Sequence, residues 1–428
     1  MISPPQPAAG PDAAHVYYGW IIVAALCVTE TVSWGIIYYG FPVFLQAMEH
    51  EFNASAISVA GAFSLALAIT ALAAVPVGRW MDRAGPRGLM TAGSCLAAAL
   101  TIAWARTTSL GMLYAVWCGM GFAMAMTLYD PAFAAIVQWF GRHRDRALLT
   151  VTLVAGLAST IFMPLGAWLL SRVGWRDAVE ILGVFLAVVT IPIHALVLRP
   201  SSLTHAGDGA TGSTVGPPST GVTLQAALRT SVFWALNAAF AVGAFATVTI
   251  TVHLIPFLTQ RGYPQAYAAA AVGWIGAMQI PGRLLFVPVA AWLGRRAVTG
   301  SVFVAQAVAM AMLPFVGRLP ALIPAILLLG AANGMATLAR PSAVADAFGR
   351  RYYASVSGAI AVGSNGARAL APIGAALLGS WMGSYGSLFW TLSAALAAAG
   401  IGLFLTELRA AGGAVPRRAS RGTPGSPD

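Results

Sequence analysis

Residues Ala268 to Leu293 read AAAAVGWIGAMQIPGRLLFVPVAAWL, and Arg283 is the only formal charge among them. At 1.5 Å per residue, these 26 residues (293 − 268 + 1) make about 39 Å of helix, enough to cross a bilayer with some tilt. Arg283 then falls near mid-membrane, where a charge costs roughly 3 kcal/mol on insertion scales. Such a residue persists when it faces a water-filled cavity or a partner. Pro281 and Gly282 precede it, so the backbone there is expected to bend, as in helices that line a substrate path. The functional reading is a substrate-facing guanidinium. The alternative is a structural arginine tied to backbone carbonyls of a neighbouring helix.

The rest of the chain repeats this texture. Hydrophobic residues make up 58% of it and charged residues only 9%, against about 25% in soluble domains. Breaks at Gly, Pro and Arg clusters separate twelve candidate spans, near 19–45, 56–78, 88–105, 111–138, 147–171, 178–198, 232–258, 266–293, 298–316, 321–347, 354–379 and 385–406. The predicted fold class is therefore an all-α integral membrane protein of twelve transmembrane helices in two six-helix bundles, 17–198 and 230–408. Residues 199–229 between them are rich in Gly, Ser, Thr and Pro and read as a flexible linker. Residues 1–16 and 409–428 read as disordered cytoplasmic tails, the first without the features of a secretory signal.

All 24 basic residues are arginine. With the N-terminus cytoplasmic, sixteen lie in inside segments, five outside and three (Arg283, Arg340 and Arg368) within spans. That bias predicts a multi-pass protein of a bacterial inner membrane with both termini cytoplasmic. The net charge of +11 is scattered over short loops, which argues against a nucleic-acid partner. Cys27, Cys95 and Cys118 stand alone in apolar runs and suggest packing, with no disulfide framework and no metal spacing.

The halves repeat. Thr127-Leu128-Tyr129-Asp130-Pro131 in span four matches Thr337-Leu338-Ala339-Arg340-Pro341 in span ten, 210 residues on. Phe140-Gly141-Arg142 recurs as Phe348-Gly349-Arg350, and Pro164-Leu165-Gly166 as Pro372-Ile373-Gly374, both at a spacing of 208. Three matches in corresponding spans imply a duplication of six spans.

Between spans two and three stands Gly78-Arg79-Trp80-Met81-Asp82-Arg83-Ala84-Gly85-Pro86-Arg87. Gly78 permits close helix approach and Gly85-Pro86 makes a turn. Asp82 is placed to pair with arginines or a helix N-terminus at a cytoplasmic gate. The pattern, with Gly78, Asp82, Arg83, Gly85 and Arg87 as its fixed points, resembles the signature loop of the major facilitator superfamily. That resemblance implies two halves rocking about a central cavity. Trp139-Phe140-Gly141-Arg142-His143-Arg144-Asp145-Arg146-Ala147, His253-Leu254-Ile255-Pro256-Phe257-Leu258 and Gly282-Arg283 further resemble the bacterial monocarboxylate and oxalate/formate porters. The resemblance implies that Arg283 holds a substrate carboxylate with His253 beside it. Animal relatives carry an acid one turn before this arginine; here the position is Gln279, which removes that route for a proton.

The charges within spans are unevenly shared. Glu30 and Asp130 lie in the N-terminal half, and Arg283, Arg340 and Arg368 in the C-terminal half, with Asp346 near the end of span ten. This suits an anion bound on one wall and a proton carried on the other. Arg368 and Tyr129 join Arg283 and His253 as candidate substrate ligands. Glu30, Asp130 and Arg340 are the candidates for proton coupling or gating. Each also has a structural reading: Glu30 as an acid bonded to its neighbours, Arg340 paired within its own half to Asp346, His253 as a hydrogen-bonded core histidine. The chain has no Walker loop, no G-x-S-x-G, no H-E-x-x-H and no Cys/His zinc pattern. The expectation is therefore a non-enzymatic, cofactor-free monomer driven by gradients. It moves a small organic anion, best read as a monocarboxylate, with protons as coupling ion. An exporter of drug-like or hydrophobic compounds is the alternative, and a non-transporting receptor on the same fold a remote one.

Overall fold

A chain crossing lipid has no water to satisfy its backbone, so each crossing must satisfy it internally. The computed structural model describes residues 17–141, 143–199, 221–315 and 319–412, and it is helical almost throughout. Both predicted tails and the core of the predicted linker lie outside the described residues, except for 409–412.

Ten described segments are long and apolar enough to cross a membrane. One of them, Arg144–Leu196, has 53 residues, about twice the length a bilayer needs. It reverses at Gly174, whose φ of 82° is left-handed. Beside that break Arg176 reaches Glu51 and the carbonyls of Ala105 and Thr107, at one face of the bundle. The segment's ends lie at the other face, where Arg144 pairs with Asp346 and the Val197 carbonyl accepts from the Tyr18 hydroxyl. The segment is thus two spans, 144–173 and 175–196. Tyr353–Trp381, a 29-residue helix with more polar residues, completes twelve among the described residues.

Spans one to four are Tyr18–Phe52, Ala56–Ala84, Pro86–Ala105 and Leu110–Trp139. Spans seven to ten are Ser231–Gln260, Gln265–Leu293, Arg295–Met312 and Leu319–Phe348. Spans eleven and twelve are Tyr353–Trp381 and Tyr385–Gly412. Local chemistry sets their ends. Ser55, Ser109 and Thr230 cap the N-termini of spans two, four and seven by accepting from backbone N–H groups.

The duplication recurs in the backbone. Left-handed residues end helices at Asn53 and Gly262, at Gly85 and Gly294, and at Gly174 and Gly383, each pair 209 apart (262 − 53, 294 − 85, 383 − 174). Two expectations of regularity change. Span one runs to Phe52, past the predicted 45, through a π-helical stretch at Trp34–Tyr38. Span four breaks at Leu128, where φ and ψ are −85° and −166°. Pro131 explains the break: it lacks the N–H that would reach the Thr127 carbonyl, and its ring crowds it.

One apolar core, with Ile36, Phe41, Phe44, Trp104 and Trp117, belongs to the N-terminal half alone. The other runs from Leu26, Phe133 and Leu148 of that half into Phe240, Phe303 and Leu338 of the second. The halves are therefore welded at the arginine-rich end and hold a cavity between them.

Candidate substrate cavity and gate

The cavity has a volume of about 570 Å³, within the range that encloses drug-sized ligands. The N-terminal half lines it with Trp34, Tyr38, Leu67, Tyr129 and Phe133, and the Trp34 and Tyr129 rings stand 4.8 Å apart. The C-terminal half lines it with Thr247, Gln279, Gln306, Asn333, Arg340 and Arg368. The tyrosines and the tryptophan are therefore on one wall, and the carboxamides and guanidiniums on the other, beside Phe240 and Phe303. The break at Leu128 lets span four resume at Tyr129 and aims Tyr129 and Asp130 at the opening.

Asp130 and Arg340 meet across the halves in a charge-assisted hydrogen bond. Asp346 instead receives Arg144 at 2.7 Å, so the pairing of Arg340 with Asp346 does not occur here. Arg368, on span eleven, is exposed to the cavity. Its polar contact is a long one, Nη1 to the Asn365 Oδ1 at 3.4 Å, and among the described residues it makes no ion pair.

Arg283 takes a different place. Its Nη1 donates to the Thr152 carbonyl of span five at 2.7 Å, and its buried Nε has no partner. Gly156 makes room for it, since a Cβ there would stand 2.8 Å from Nη1. In this conformation Arg283 is off the cavity wall, tied to a carbonyl across the halves. His253 is also off the wall: its Nε2 lies 3.2 Å from the Pro372 carbonyl and its ring 5.7 Å from that of Tyr385. Glu30 is fully buried behind Trp34, whose indole Nε1 donates to Oε2 at 3.2 Å, while Oε1 has no partner.

The arginine-rich end is closed by two latches. In the first, Asp82 at the end of span two accepts from the backbone N–H groups of Ala354 and Ser355, at 3.0 and 2.8 Å. These are orphan donors at the start of span eleven, where an anion is favoured. Above them Gly78 and Gly358 let the two backbones touch, for a Cβ on either would overlap the carbonyl of Ala354 or Ala74. Gly85 supplies the left-handed turn after Asp82, Arg87 donates to the Leu198 carbonyl at 2.7 Å, and Arg83 is exposed.

In the second latch Asp145, in the first turn of span five, takes Arg295 at 2.6 Å and the Ser342 hydroxyl at 2.8 Å. Arg144 beside it grips Asp346. Arg350 lies near, and burial together with the like charge of Arg144 pushes its guanidinium below its usual value.

The family model of the major facilitator superfamily matches residues 26–372, most of the chain. The chain belongs to the major facilitator superfamily. Human monocarboxylate transporter 11 is 31% identical over 300 residues, 68% of this chain and 58% of that protein. Bovine (Bos taurus) monocarboxylate transporter 13 is 27% identical over 285 residues, 65% of this chain and 62% of that protein. The chain thus aligns with less than two thirds of these relatives. A variant of the E. coli fucose:proton symporter FucP superposes with a TM-score of 0.70 at 14% identity, covering 91% of this chain and 99% of the other. The human organic anion transporter MFSD10 gives 0.67 at 15% identity, covering 90% and 99%. These two likenesses concern the fold.

The chain is thus a multi-pass membrane protein of that superfamily. The second latch escaped the sequence reading. Its signal is Asp145, an acid set between Arg144 and Arg146 at a helix start. The amides Gln306 and Asn333, deep in otherwise apolar spans, were also passed over.

Proposed function

We propose that this protein carries an organic monocarboxylate by alternating access, with protons as the coupling ion. The single observation that supports an anionic cargo is Arg368, a guanidinium on the cavity wall that makes no ion pair among the described residues, while the neighbouring Asp130 is engaged by Arg340. A charge held at such depth calls for a counter-ion, and a substrate carboxylate matches the guanidinium fork. The names of the relatives agree with this class over the part of the chain they share.

Arg283 then serves the alternate state. Its bond to Thr152 spans the halves and lasts only while the arginine-rich end is closed. When the halves part, its fork is released toward the cargo. His253 positions span eleven through Pro372. Glu30 is the proposed proton carrier, for its burial and unpaired Oε1 make a permanent charge there expensive. With the termini cytoplasmic, as the arginine bias supports, the form described is outward-open.

Uptake of labelled carboxylates into proteoliposomes, with and without a pH gradient, tests the proposal. Uptake should rise with an inward proton gradient, and Arg368→Ala should weaken carboxylate binding at least tenfold, about the worth of a charge-assisted hydrogen bond. Glu30→Gln should keep exchange but lose pH-driven accumulation. Arg368→Ala with wild-type affinity for every carboxylate tried would refute the anion site.

A further inference from the structure

The polar wall holds a feature that a small carboxylate alone leaves unused. Gln306 of span nine and Asn333 of span ten, only 2% and 8% exposed, form a buried carboxamide pair on the cavity wall. Gln306 Nε2 donates to Asn333 Oδ1 at 2.7 Å, and the Thr247 hydroxyl lies 3.2 Å from the same oxygen. Gln306 Oε1 is buried with no hydrogen-bond partner. Leaving a buried acceptor unpaired costs about 1–3 kcal/mol, so native proteins almost always supply a donor. Gly243 packs beside it, where a Cβ would lie 3.4 Å from Oε1 and 2.8 Å from Phe303 Cε1.

The Thr247 hydroxyl has a single proton, and the Gly243 carbonyl competes for it at 2.8 Å. If that carbonyl holds the proton, turning both carboxamides over satisfies Thr247 equally well. Gln306 then presents Nε2 in place of Oε1. A hydroxyl can donate to the first arrangement and accept from the second. It is the neutral group that answers both.

We infer that the Gln306–Asn333 pair is a specificity subsite that reads a hydroxyl on the cargo, apart from its carboxylate. The inference rests on the anion-carrier reading above and deepens it. The carboxylate goes to Arg368, an apolar body lies against Trp34, Tyr38 and Tyr129, and the hydroxyl reaches Gln306. A cavity of about 570 Å³ with this aromatic wall suits a hydroxylated aromatic acid better than a two- or three-carbon one.

The test is titration of the purified full-length protein with phenylpropanoate and with its para-hydroxy derivative, alongside acetate, lactate and pyruvate. The hydroxylated acid should bind at least tenfold more tightly than its parent in the wild type. In Gln306→Met that ratio should fall to near one. Equal binding of the two by the wild type overturns the subsite and leaves the pair holding water only; this arm needs no variant to fold. A ratio unchanged in Gln306→Met likewise removes Gln306 from the role. Binding of short acids without the hydroxylated one defeats the inference while the carrier reading stands. Binding of no carboxylate at all defeats both.

Discussion

The two latches at the closed end occupy related places in the duplicated fold and use different chemistry. After span two, Asp82 binds backbone N–H groups at the start of span eleven. After span eight, Arg295 binds a side chain, Asp145, at the start of span five. Gly85 and Gly294 set the two turns alike. The first latch combines a helix-end field with backbone contact and depends on shape. The second is a set of ion pairs and depends on charge, since the side chains of Arg144 and Asp145 are only 5% and 9% exposed. A duplicated scaffold therefore does not imply duplicated interactions, and the two latches should fail differently.

The largest effect should come from the floor pair between the latches. Asp130→Arg removes a partner and sets two guanidiniums together at a part-buried site, so the attraction is lost and a repulsion replaces it. The variant should be trapped open at the arginine-rich end, and Arg340→Asp added to it should partly restore transport. Strictly additive damage would show that the contact does not bias the states.

Next in size is Asp145→Ala, which leaves Arg295 only its 3.7 Å contact to Asp346 and the Ser342 hydroxyl without its acceptor in the closed form. In the open form water solvates them, so the population should shift toward open roughly a hundredfold or more. Spin labels on the loops after spans two and ten, with Cys27, Cys95 and Cys118 replaced, would read the change as a longer distance. Asp82→Ala should do less, about ten- to a hundredfold, on the scale of hydrogen bonds to a charged group. Gly358→Ala should act by shape alone, about five- to a hundredfold, the usual scale of overpacking, and should be insensitive to salt. If Asp82→Ala and Gly358→Ala both exceed Asp145→Ala, the second latch is not the stronger.

How much of this was legible in sequence follows from what lipid enforces. Apolar runs, the lone Arg283 and the recurrence of Asp130-Pro131 as Arg340-Pro341 point to spans and duplication because the bilayer leaves no other way to satisfy backbone. Which face a residue presents was not legible. A span that is apolar all round has no polar stripe to mark its cavity side. For Arg283 and His253 the sequence therefore leaves a cavity-facing and a structural reading side by side, and in this conformation one holds the Thr152 carbonyl and the other lies at that of Pro372. Partners across the halves, such as Arg144 with Asp346 at a separation of 202 residues, depend on how the bundles rock, which no local pattern encodes.

The smallest effect should belong to Arg295→Lys. Its side chain is 37% exposed, and the Asp145 it grips keeps the Ser342 hydroxyl whatever cation stands there. Lysine retains the charge and loses the second contact, the longer one of 3.7 Å from Arg295 Nη1 to Asp346. That contact is partly solvated and Asp346 is already held by Arg144, so its loss should be worth under about 1 kcal/mol. The open population should then change by less than about fivefold, within reach of the same spin-label distances. A shift as large as that of Asp145→Ala would mean that the planar guanidinium bridging two carboxylates holds the second latch. Both latches would then depend on shape, and the contrast between them would collapse.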